Sequence, residues 1–117
     1  MKILITIRGD YVSPRFDLCA EAIIATCYDR QLLDEPRSII LDHMSAEVIC
    51  DLALKENVSI LVCGGIEEQH YQFLTWKGIL VIDGIIGPHD KVLQEAVDGT
   101  LSSHTVFEEG QSRRETT

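Results

Sequence analysis

Between Val58 and Asp83 the sequence reads VSILVCGGIEEQHYQFLTWKGILVID, and few folds accommodate that order of residues. Ser59–Cys63 is a brief apolar run, too short for a helix and lacking the polar alternation of a half-exposed strand. It fits a strand buried on both faces, as in parallel sheets. Gly64 and Gly65 break the run, and Glu67 and Glu68 open a helix whose first turn favours negative charge. Ile66, His70, Phe73, Leu74 and Lys77 fall on one side of that helix, and Gly78 stands where a left-handed cap is wanted. Ile79–Ile82 is a second apolar run, closed by Asp83-Gly84. Strand, glycine turn, helix and strand make one right-handed βαβ unit.

The remaining segments can be placed around this unit. Lys2–Arg8 (KILITIR) is a β-branched strand expected at the centre of the sheet, and Gly9–Asp17 (GDYVSPRFD) is a loop. Glu21–Tyr28 has the composition of a second strand. Asp29–Arg37 is a polar turn, with Leu32 and Leu33 as a short bulged cover, and Ser38–Leu41 is a third strand. Ser45–Glu56 is an amphipathic helix with Val48, Ile49, Leu52 and Ala53 as its apolar stripe and Ser45 as its N-cap. Gly87-Pro88 starts a third helix that buries Val92, Leu93, Ala96 and Val97 and ends at Gly99. The order β β β α β α β α predicts an α/β protein of the ribonuclease-H-like kind. Its expected sheet is five-stranded and mixed, in order 3-2-1-4-5, with strand 2 antiparallel and helices on both faces. Residues 1–104 are expected to form one domain. Residues 105–117 are expected to form a flexible polar tail, since EEGQSRRETT offers no apolar anchor.

Charge and cysteine usage narrow the function. With 10 Lys and Arg against 19 Asp and Glu in 117 residues, the formal net charge is −9. That balance argues against a nucleic-acid backbone as partner, because basic clusters supply most of such affinity. No run approaches the ~20 apolar residues of a membrane span, and no signal-peptide pattern is present. A cytoplasmic protein without a membrane partner is therefore expected. Cys19, Cys27, Cys50 and Cys63 form no CxxC pair and have no finger-like spacing to histidine. In that compartment they are expected to be reduced.

In the expected topology the C-terminal ends of strands 1, 4 and 5 lie side by side. The connections leaving them are Gly9–Asp17, Gly64–Ile66 and Asp83–Gly87, which hold five of the eight glycines. Ligands of open α/β sheets settle at such an edge, although tight turns want glycine with or without a ligand.

The segments VSPRF (Val12–Phe16), VCGGI (Val62–Ile66), KGI (Lys77–Ile79) and LQEAVDGTL (Leu93–Leu101) together resemble the dinitrogenase iron–molybdenum cofactor biosynthesis family. Its members include NifX-like proteins and the C-terminal domain of NifB-like proteins. The resemblance covers roughly residues 1 to 101. It implies the same ribonuclease-H-like sheet and a non-catalytic role in binding or carrying an iron–sulfur or iron–molybdenum type cluster or its precursor, exchanged with a donor or acceptor protein. On that reading Arg8, Gly9, Asp10, Ser13, Arg15, Phe16, Gly64, Gly65, Ile66 and Gly84 would contact the cluster, with Cys63 or His89 supplying a direct metal bond. The family loop often carries histidine where this chain has Arg15 and glycine where it has Asp17. Arginine has no imidazole lone pair to give a metal, but it can pair electrostatically with an anionic cluster. After GGI, relatives often continue Gly-Pro where this chain has Glu67-Glu68, placing carboxylates at the positive end of the helix. These departures favour the alternative, an interaction or regulatory module with the same fold and no cluster.

The individual candidates have plainer readings too. Cys63 is also the last apolar residue of a buried strand. His70 shares an apolar helix side, His89 starts the third helix, and His43 is expected at the opposite end of the sheet. His104 belongs to a segment where the pattern fades. Asp10, Asp42 and Asp83 each follow a strand, as a metal-dependent nuclease would require, but Asp42 leaves a different part of the sheet and no basic track accompanies them. Neither a Ser-His-Asp nor a Cys-His constellation can be placed, and no GxxxxGK[ST] loop occurs.

Overall fold

A computed structural model describes residues 1–107. In chain order the elements are β1 (Lys2–Arg8), β2 (Tyr11–Val12), β3 (Glu21–Tyr28), β4 (Gln31–Leu32), β5 (Arg37–Ile40), α1 (Ala46–Lys55), β6 (Ile60–Val62), α2 (Glu68–Trp76), β7 (Leu80–Ile82) and α3 (His89–Asp98). A single 3₁₀ turn, Phe16–Leu18, lies between β2 and β3.

β1 sits inside the sheet because its ILITI segment is apolar toward both faces. It pairs antiparallel with β3, from Lys2↔Thr26 to Ile7↔Glu21, and parallel with β6, from Ile3↔Ile60 to Ile5↔Val62. β6 takes β7 in parallel, and β5 lies antiparallel on the outer side of β3. Alternation along the strands divides the core in two. Leu4, Ile24, Leu61 and Val81 face α1 and α2, while Ile3, Ile5, Ile7, Val62 and Ile82 face α3.

The expected five strands become seven among the described residues. The two additions are two-residue segments created by tight turns, too short for any periodicity to reveal. Gly9-Asp10 folds Tyr11–Val12 back onto the end of β1, so the expected 9–17 loop contains β2 and the 3₁₀ turn. Asp29 and Arg30 both take positive φ (53 and 65), the pattern of a type I′ turn, and so Gln31–Leu32 pairs with Cys27–Tyr28.

The helices follow their sequence patterns with two corrections. In α1 the Ser45 hydroxyl accepts from the amides of Glu47 (3.1 Å) and Val48 (3.4 Å), satisfying donors with no partner inside the helix. The buried stripe of α1 is Ala46, Ile49, Cys50 and Ala53; Val48 and Leu52 are only half-buried. In α2 only Leu74 is fully buried, because the helix packs on β7 at the sheet margin and needs a narrow apolar stripe. Phe73 (36 %) and Trp76 (77 %) are exposed, with the Lys77 ammonium 5.7 Å and 4.8 Å from their rings. α3 buries Val92, Leu93, Ala96 and Val97.

The chain does not trail away where the tail was expected to begin. Thr105, Val106 and Phe107 run beside Ile86: the Ile86 amide donates to Thr105 O (3.1 Å), and the Phe107 amide donates to Ile86 O (2.7 Å). The rest of the expected tail, residues 108–117, lies outside the described residues. No described helix is long and apolar enough to cross a membrane.

Candidate functional site

The turns that leave β1, β6 and β7 meet at one rim, where their backbones bond to one another. Phe16 N donates to Gly65 O and Gly65 N to Pro14 O, both at 2.8 Å, so Ser13–Phe16 runs alongside Gly64-Gly65. Gly84 N donates to Gly64 O (2.9 Å) and Ile85 N to Cys63 O (3.1 Å), joining the second turn to the third. Val12 N reaches Gly87 O (2.9 Å) and His89 N reaches Asp10 O (3.0 Å), joining the third turn to the first.

This closure accounts for Gly64, Gly84 and Gly87 without any ligand. A Cβ on Gly64 would strike the carbonyl oxygen of Ser13 and lie 2.8 Å from that of Pro14, so the first turn occupies the space a side chain would need. Gly84 combines φ +68 with the ring of His104 packed where its Cβ would be, and Phe107 covers Gly87 in the same way.

The expected contact residues share the rim but not one cavity. Arg8 and Gly9 line a cleft of about 320 Å³ with Leu18, Glu21 and Met44. Ile66 lines a separate cleft of about 190 Å³ with Glu68, Tyr71, Asp83 and His104. Ser13 is buried; its amide donates to Thr6 O (2.9 Å) and its hydroxyl to Arg15 O (3.1 Å), which fixes the loop. Asp10 is exposed on the tip of the first turn. Phe16 is fully buried and packs 5.9 Å from the His70 ring.

The two unusual loop residues answer each other. Arg15 Nε and Nη2 donate to Asp17 Oδ1 (3.1 Å) and Oδ2 (2.8 Å), a side-on fork of the kind guanidinium and carboxylate favour. Those hydrogen bonds hold the Asp17 carboxyl below its usual range. The guanidinium expected to offset a cluster's charge is thus already shared with a neighbouring carboxylate.

Neither expected metal ligand stands in a ligand set. Cys63 is fully buried in the core beneath α1 and α2, where burial pushes its thiol far up. His89 opens α3, which covers the opposite face. Among the described residues no three His, Cys, Asp or Glu side chains are gathered to hold a metal ion. Burial also raises Cys19, whose thiol donates to Glu21 O (2.8 Å), and pushes Cys50 up to about 11. Thiols so placed are poor nucleophiles and poor metal ligands.

The sequence reading missed His104. Its segment carries too few apolar residues to register as an element, yet Leu101 and Phe107 pack against the α3 side of the core. The available signal was the Val106-Phe107 pair beyond a polar run, together with glycines in the third turn that leave room for a covering chain.

Solved structures share this arrangement. A Methanocaldococcus jannaschii protein provisionally described as a dinitrogenase superposes with a TM-score of 0.70 at 27 % identity, covering 87 % of this chain and 92 % of its own. The apo form of the orange protein of Desulfovibrio gigas gives 0.66 at 21 %, covering 87 % and 91 %. A Thermotoga protein provisionally described as a NifB protein gives 0.64 at 18 %, covering 92 % and 97 %. No curated protein sequence matches. Residues 1–99 match the family described as dinitrogenase iron-molybdenum cofactor, and the chain belongs to that family.

Proposed function

We propose that this protein is a non-catalytic carrier for an iron–sulfur or molybdenum–iron–sulfur type cluster, or for a precursor of one, held at the rim where the three turns meet. The observation that carries the reading is their convergence at the C-terminal edge of β1, β6 and β7, where α/β sheets commonly receive ligands. Family membership supports a cluster of that class as the cargo. The β5-β3-β1-β6-β7 path, with β3 antiparallel to its neighbours, supports describing the sheet as ribonuclease-H-like. The raised thiols of Cys19, Cys50 and Cys63 support a role without covalent catalysis. In this account the protein works in the cytoplasm, where unpaired cysteines stay reduced, and exchanges its cargo with a donor or acceptor protein.

A second reading is an interaction or regulatory module that keeps the fold without the cluster. The Arg15–Asp17 fork favours it, since it engages one of the two arginines expected to meet a cluster, and so does the acidic lining by Glu68 and Asp83. Anaerobic incubation of the full chain with ferrous iron and sulfide, and separately with tetrathiomolybdate, distinguishes the two readings. The carrier takes up metal in a fixed ratio and gains visible charge-transfer absorption. A protein left colourless and metal-free by both treatments is the module.

A further inference from the structure

We propose that Leu101–Phe107 is a lid on the rim and that its His104 forms one wall of the cleft beneath. The segment lies beyond the family-matching residues, which end at Gly99, yet it is fastened to the third turn. His104 N donates to Asp83 O (2.8 Å), Asp83 N donates to Ser103 Oγ (3.2 Å), and Ile86 exchanges backbone hydrogen bonds with Thr105 and Phe107. The His104 ring rests on Gly84 and the Cβ and backbone of Phe107 on Gly87, so each contact uses space that a side chain on the turn would fill. His104 itself takes φ 65, a left-handed conformation that non-glycine residues adopt mainly where the surroundings impose it.

The fastening is light. Ser102, Ser103, His104 and Val106 are exposed, and only Leu101 and Phe107 pack, half-buried, against the core. A segment held by exposed hydrogen bonds and two partly buried side chains opens at lower free energy than the sheet beneath it. When it lifts from Gly99, the amides of Asp83 and Ile86 and the face of Gly84 become free at the rim. When it closes, His104 stands over Ile66 and Asp83 in the cleft of about 190 Å³. The wall function of His104 rests on the carrier reading; the separate opening of the segment does not.

Hydrogen exchange on the full chain, read amide by amide, tests the lid. Ile86, His104 and Phe107 amides exchange about 100-fold faster than Ile5 and Leu61 in a sub-global opening. Phe107→Ala speeds the first group further and leaves the second unchanged. Exchange of both groups through one common opening, shifted together by Phe107→Ala, overturns the proposal. Tetrathiomolybdate then serves as the rim probe. Its binding slows the exchange of Ile86 and Phe107, and His104→Ala weakens its uptake at least several-fold. Uptake that leaves those amides and the His104→Ala variant unaffected overturns the wall function while the carrier reading stands. No uptake by the wild type or by Phe107→Ala overturns the carrier reading and the wall function, and the lid is then decided by exchange alone.

Discussion

Replacing Gly64 by alanine separates a glycine kept for packing from one kept for a ligand. The backbone at Gly64 lies in a region open to any residue, so the cost is steric. The new methyl would collide with Ser13 O and lie 2.8 and 2.9 Å from the Pro14 carbonyl oxygen and carbon, where ordinary contact begins at 3.4 Å. To make room, Ser13-Pro14 must retreat by roughly 1 Å, which overstretches the paired 2.8 Å bonds between Pro14, Phe16 and Gly65. Losing two neutral hydrogen bonds costs about 1–3 kcal/mol, and overpacking alone typically costs about 1–3 kcal/mol. These effects overlap, since the retreat relieves the clash, and together give about 2–4 kcal/mol. At roughly 4 °C per kcal/mol for a domain of this size, the melting temperature falls by about 8–16 °C. Gly65→Ala is the control: its Cβ meets only Pro14 O, at 3.3 Å, and the expected loss is under about 1 kcal/mol. Thermal unfolding followed by circular dichroism reads both variants. A Gly64→Ala protein melting within about 2 °C of wild type while failing to take up tetrathiomolybdate would refute the reasoning, because the glycine would then serve an occupant.

Other consequences follow from individual contacts. Arg15 hydrogen bonds depress the Asp17 carboxyl, so the stability this pair contributes is present above the unfolded carboxyl value and is lost as pH falls through the lower folded one. An NMR titration of Asp17 has its midpoint below the ordinary 3.8 and moves back up in Arg15→Ala; an unshifted wild-type midpoint contradicts the fork. Ser45→Ala removes the cap of α1 and lowers stability by about 1 kcal/mol in denaturant unfolding, whereas no loss means the cap is not used. The Thr6 hydroxyl is fully buried with no hydrogen-bond partner among the described residues, so Thr6→Val is neutral or stabilising by about 1 kcal/mol. A clear destabilisation would show that the hydroxyl is hydrogen-bonded after all. Cys63 is fully buried and burial pushes its thiol far up, so a thiol reagent labels Cys63 only slowly in the native protein, and rapid labelling of Cys63 would contradict its burial beneath α1 and α2.

The fold was legible where burial imposes a period. KILITIR, the runs flanking α2 and the 3.6-residue stripe of α3 name their elements because each must hide a particular face. The short strands β2 and β4 were not legible, since two residues carry no period and their pairing depends on turn geometry. The stripe of α1 was misjudged because Cys50 packs as a small hydrophobe while the larger Val48 stays half-buried. At the site, the glycine turns marked the rim correctly as a place of close backbone approach. What approaches the glycines of the second and third turns is another part of the same chain, a long-range relation between Ser13 and Gly64 or His104 and Gly84 that no local pattern encodes. The Arg15–Asp17 fork lay two residues apart in plain sight, but that spacing alone does not show the pair meeting; here it forms where the extended Arg15 leads into the 3₁₀ turn.

Cargo held where the turns after β1, β6 and β7 meet would perturb a defined set of backbone amides. Amide chemical-shift mapping of the full chain, titrated anaerobically with tetrathiomolybdate, tests it most directly. Saturable shifts confined to Gly9–Asp17, Gly64–Ile66, Asp83–Gly87 and the covering segment around His104 are expected. Saturable shifts centred instead on the cleft that Glu47 and Cys50 of α1 line with His70 and Phe73 of α2, or none at any concentration, would contradict that placement.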